Sequence, residues 1–126
     1  MTANLAIIFA TIFGALAIIL GAFGAHALKK HFTPELMQSF ETGVKYQMYH
    51  AIVLLILGFQ LPMETTLEQS IIWCFVIGIV LFSFSIYGLC ISSAKGNKIK
   101  ILGPITPLGG LSLLSGWVLL LVNFIN

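Results

Sequence analysis

The distribution of charge constrains this chain more than any other feature. Its ten charged residues, six Lys and four Glu, fall into three short windows, 29–45, 64–68 and 95–100. The stretches between them, 1–28, 46–63, 69–94 and 101–126, carry no charge and together hold 98 of the 126 residues. A helix rises about 1.5 Å per residue, so about 20 apolar residues cross the hydrocarbon core of a bilayer. Three of the stretches exceed that length, and the second, at 18 residues, meets its lower end. A soluble domain is about 25% charged. This chain is 8% charged and 59% hydrophobic, with a mean hydropathy of +1.06. The pattern excludes a soluble globule. It predicts an all-α integral membrane protein, a four-helix transmembrane bundle forming one domain over 1–126.

The predicted spans cover 3–28, 44–61, 67–92 and 105–125. In the first, Ala10, Gly14, Ala17, Gly21 and Ala25 recur every three or four residues and share one face. Small residues let backbones approach in lipid, so this face predicts the centre of a bundle or a contact between copies. Gly109, Ser112 and Gly116 form a similar face in the last span. After the first span, Thr33-Pro34-Glu35 reads as a helix start: a cap, a proline at the first position and a carboxylate that complements the dipole. Leu36, Met37, Phe40 and Val44 then make an apolar stripe. That predicts a short amphipathic surface helix, with Thr42-Gly43 bending the chain into the second span and Pro62 ending it. Thr65 and Glu68 fit a capping box, and Gly96-Asn97 supplies a helix-ending turn. Gly103–Gly110 holds two Pro and three Gly. It predicts irregular backbone over Gly103–Thr106, tucked against other helices, before Thr106-Pro107 opens the last helix.

The connections 29–45 and 95–103 hold three Lys each, and the second connection and both ends hold none. By the positive-inside rule, those two connections are cytoplasmic and both termini lie outside. Cys74 and Cys90 share one span, about 24 Å apart along a helix, too far for a disulfide. Ala25-His26-Ala27 follows an apolar run as a secretory cleavage site would. No Lys or Arg precedes it, however, and the run is longer than a signal core, so it reads as a retained span. The net charge of +2 forms no basic stripe, and no nucleic-acid partner is expected. The expected partners are the lipid bilayer and a second copy or another membrane protein.

Three segments stand out together: Gly21–His26, Thr42–Ala51 and Gly103–Gly110. In that order they resemble the YgdD family, small bacterial inner-membrane proteins with a domain of unknown function that includes eukaryotic transmembrane protein 256. The resemblance covers essentially the whole chain. It implies a four-span protein of the bacterial inner membrane, and it offers no mechanism and no catalytic residue to carry over.

The predicted topology brings all three segments to the cytoplasmic face. Ionisable groups within a span are costly and point inward or toward water. His26, Tyr46, Gln47 and His50, with Gly24, Gly43 and Gly109 allowing close approach, are therefore candidates for a polar pocket or for a cluster that locks the helices together. No cofactor is expected; His26 and His50 are the one pair that could hold a haem or metal axially. His31 reads as an exposed loop residue, and Trp73 and Trp117 as packing or belt residues. No GxSxG, Walker loop or HExxH is present, and all four Glu lie in connections, so no enzyme is expected. The leading expectation is a structural or partner-binding membrane subunit, oligomeric through the small-residue faces. The alternative is a small transporter or channel component whose pocket is the His/Tyr/Gln cluster.

Overall fold

The computed structural model describes residues 2–126. Among them the chain is helical throughout, in four rods: α1 (Ala3–Leu28), α2 (Pro34–Gln60), α3 (Thr66–Ala94) and α4 (Leu102–Ile125). α1, α3 and α4 are long and apolar enough to cross a membrane. α2 is long enough but less apolar, because it carries the charged window and the polar groups of the Thr42–Ala51 segment.

Local chemistry sets the helix ends. Thr33 caps α2, its hydroxyl accepting from the Leu36 N–H at 3.2 Å, with Pro34 in the first turn. The capping box at Thr65 and Glu68 forms in both directions: Glu68 N–H donates to the Thr65 hydroxyl, and the Glu68 carboxylate accepts from the Glu64 and Thr65 N–H groups. α3 ends where Gly96 turns left-handed, at φ +79°. Between α2 and α3, Met63 takes a positive φ of 60°, a strained conformation for a residue with a side chain, and its side chain is buried.

Two expectations are corrected. The amphipathic segment after Thr33 is not a separate surface helix. It is the first three turns of α2, which runs 27 residues without a break at Thr42-Gly43. Phe40 and Gly43 are buried against α3, so packing keeps the helix continuous where a lone Gly would weaken it. The Gly103–Gly110 segment is also regular helix. Pro104 stands in the first turn, where no intrahelical N–H is needed. Pro107 lies deeper and forgoes one bond, and the Thr106 hydroxyl bonds back to the Leu102 carbonyl at 3.3 Å.

The rods pack as two antiparallel hairpins. On the α1–α2 seam, Ile7 meets Gly58, Gly14 meets Ala51, and Gly21 meets Val44. Each advance of seven residues along α1 is matched by seven in reverse along α2. That is the period at which side chains of paired helices keep one seam in register. On the α3–α4 seam, Phe75 meets Gly116, Gly78 meets Leu113, and Phe82 meets Gly109. Both small-residue faces are therefore used within the chain. α2 also runs antiparallel along α3, which puts the Lys29–Thr33 and Lys95–Ile101 connections at one end of the molecule and the Leu61–Thr65 connection at the other. α1 and α3 each contain one wider π turn, Ile19–Gly24 and Val80–Phe84. At the second, Leu81 and Phe82 face α4, whereas Ser83 and Tyr87 face α2.

Candidate functional site

Polar side chains converge at mid-height on one face of α2. Gln47 is fully buried. Its Nε2 donates to the Phe13 carbonyl of α1 at 2.8 Å, and its Oε1 accepts from the Tyr87 hydroxyl of α3 at 2.6 Å. One turn earlier, the Ser83 hydroxyl donates to the Gly43 carbonyl at 2.7 Å. One turn later, the His50 ring is held from both sides, with Nδ1 2.7 Å from the Tyr46 carbonyl and Nε2 3.1 Å from Trp117 Nε1 of α4. A carbonyl only accepts and an indole N–H only donates. The imidazole therefore satisfies both partners only as the neutral Nδ1–H tautomer, and neither ring nitrogen has a lone pair free. His50 also packs against Phe75. Across the π turn, the hydroxyls of Ser85 and Thr106 meet at 2.6 Å, and Ser112 donates to the Cys74 carbonyl at 2.8 Å. Among the described residues no buried side-chain nitrogen or oxygen lacks a partner.

This layer gathers part of the residue set singled out above. Gly43, Gln47 and His50 belong to it. Tyr46 contributes its carbonyl while its ring lies outward. Gly109 sits against Leu81 and Phe82, where a Cβ would land on their backbone. His26 and Gly24 are elsewhere: His26 is exposed near the end of α1, and Gly24 faces Phe40. His50 and Gln47 direct their hydrogen bonds to neighbouring helices and to the Tyr46 carbonyl of α2. Gly14, Ala17, Gly21 and Ala25 lie along or beside the α1–α2 seam, and Ser112 and Gly116 on the α3–α4 seam. Sequence reasoning missed Ser83 and Tyr87 and read Trp117 as a packing or belt residue. Ser83 and Tyr87 are polar residues four apart in a largely apolar span, a signal that could have placed both on one inward face.

The open space lies nearer the Lys-bearing end. A cleft of about 480 Å³ runs between α2 and α4 over α3. Leu36, Ile86, Leu89 and Pro107 wall it, Ser39, Thr42, Ser93 and Thr106 bring hydroxyls, and Lys98 stands at its rim. Cys90 lines it as a free thiol, and Gly103 closes one side. Smaller hollows of about 160 and 210 Å³ lie toward the same end, beside Lys45 and Lys95.

Polar groups turned inward and paired, with large apolar side chains such as Ile8, Ile12, Leu111 and Leu121 facing out along the rods, define a multi-pass helical membrane protein. The family model described as "Protein of unknown function (DUF423)" matches residues 20–110. The chain is 39% identical to the UPF0382 inner membrane protein YgdD of Escherichia coli (strain K12), over all of this chain and 93% of that one. It is also 39% identical to the UPF0382 membrane protein YwdK of Bacillus subtilis (strain 168), over 92% of each. The chain belongs to this DUF423 family of membrane proteins. No solved structure matches it.

Proposed function

We propose that the protein is a non-enzymatic, four-span subunit of the bacterial inner membrane, acting as a structural or partner-binding element. α2 is the fourth span in this reading. Its Gln47 and His50 face inward, and Tyr49, Ile52, Ile56 and Phe59 give it an outer apolar stripe. The observation that carries the proposal is the closed polar layer: Gln47 and His50 are occupied by Phe13, Tyr87, Tyr46 and Trp117. Such a layer locks helices together and leaves neither Gln47 nor His50 free for chemistry or for passing an ion. Both small-residue faces are consumed inside the chain, so association with a second copy or another protein uses the outer apolar faces of α1 or α4.

The test is reconstitution of the purified protein into liposomes, together with chemical cross-linking in native membranes. The expected result is no solute or proton flux at any pH from about 5 to 8, the range over which an imidazole titrates, and a reproducible cross-linked product with itself or one membrane protein. Flux that disappears in His50→Ala and Gln47→Leu would overturn the reading in favour of a transporter or channel component.

A further inference from the structure

We propose that the cleft between α2 and α4 is a binding site for an anionic phospholipid of the leaflet that the Lys-bearing end faces. The inference rests on the membrane-spanning reading of the bundle but not on its being a partner-binding subunit. Three observations carry it.

The first is the chemistry of the cleft. Leu36, Ile86 and Leu89 give it apolar lining, and the Ser39 and Ser93 hydroxyls and a single ammonium, Lys98, add polar groups. Among the described residues, the Lys98 ammonium and the Ser39 and Ser93 hydroxyls have no hydrogen-bond or ionic partner. This contrasts with the closed layer deeper in the bundle. An amphiphile with a hydrogen-bond-accepting anionic head matches both parts: methylenes against the walls, phosphate oxygens to Lys98 and the serines.

The second is depth and access. The lining comes from the first turns of α2 and α4 and the last turns of α3; in a spanning bundle, helix ends lie at the level where lipid headgroups meet the acyl region. Ser39, Lys98 and Pro107 are exposed, so its mouth is open.

The third is charge. Every Lys of the chain lies toward this end, with two of the four Glu, Glu35 and Glu41; the other two Glu are at the opposite end, with no Lys. The excess of cations favours anionic over zwitterionic headgroups, as basic pockets between helices do at cytoplasmic surfaces.

The experiment uses the full-length protein in detergent, titrated with dioleoyl phosphatidylglycerol or dioleoyl phosphatidylcholine, and read by native mass spectrometry and thermal unfolding. Wild type should bind phosphatidylglycerol preferentially and melt at a higher temperature with it. Lys98→Gln should weaken that binding about fivefold, the effect of one cation at an anionic surface. Ser39→Trp, which fills the mouth from an exposed position on α2, should abolish the preference. Lys30→Gln, at the same end but outside the cleft, should leave it unchanged. Inorganic phosphate and glycerol 3-phosphate should not compete, since neither supplies the methylenes of an acyl chain; competition by either would replace the lipid with a soluble phosphate and overturn the proposal. Equal response to both lipids, or an equal loss in Lys98→Gln and Lys30→Gln, would also overturn it. Neither result would touch the flux and cross-linking outcomes that decide the functional reading.

Discussion

At Gln47 one side chain bridges three helices: its amide donates to α1, accepts from α3 and belongs to α2. A buried amide that loses its partners leaves them unpaired as well, so the cost of removal exceeds the value of one bond. Gln47→Leu, which keeps the volume, strands the Phe13 carbonyl and the Tyr87 hydroxyl. It should lower stability in detergent by about 1–2 kcal/mol, within the range measured for interhelical bonds in membranes. Tyr87→Phe should cost less, because Gln47 keeps its bond to Phe13, and the double variant should cost less than the two single changes added together. The histidines should behave differently from one another. His50→Ala removes a ring wedged among Tyr46, Phe75 and Trp117 and should lower the melting temperature clearly. His26→Ala changes an exposed residue and should leave it unchanged. Thermal unfolding followed by circular dichroism separates the two.

For the helices as elements, what matters is where backbones must touch. Gly109 in α4 lies against the backbone of Leu81 and Phe82, which cannot rotate away as a side chain could. Gly109→Ala should therefore push α4 off α3 and cost about 1–3 kcal/mol, the usual range for overpacking. Gly103, in the same motif and the same helix, has nothing within 4 Å of the point where an added methyl would stand. Gly103→Ala should be neutral or slightly stabilising, since Ala favours helix over Gly. Comparing the two melting temperatures tests whether the Gly-Pro segment is a packing surface or a hinge: equal effects would contradict the packing account. At the other end of α3, Glu68→Ala removes the carboxylate that accepts from Glu64 and Thr65 and should cost about 1 kcal/mol.

Over the whole molecule the controlling quantity is the placement of charge at the two ends. Two antiparallel hairpins put both Lys-bearing connections at one end. Positively charged connections are retained in the cytoplasm. A C-terminal alkaline phosphatase fusion should therefore be active and a C-terminal green fluorescent protein fusion dark in a bacterial host. The reverse result would invert the topology and move the cleft to the outer leaflet.

The sequence by itself determined the class of protein, the apolar segments, the caps at Thr33 and Thr65 and the turn at Gly96. Each of these depends on residues a few positions apart, or on the simple exclusion of charge from hydrocarbon. It also singled out Gly43, Tyr46, Gln47 and His50 together with His26, because polar and ionisable groups within a span turn inward or toward water. Only the tertiary structure decided what they face. Gln47 meets Phe13 and Tyr87 across 34 and 40 residues, and His50 meets Trp117 across 67. No local pattern encodes such pairings. For the same reason His26, close to His50 by topology alone, stands apart from it, and Gly103–Gly110 is helix despite two prolines: the α3 backbone packed against Gly109 supplies the contacts that hold the segment in regular form. The cleft was hidden from the sequence because its lining comes from three helices and one connection, and its shape is the space they leave on packing.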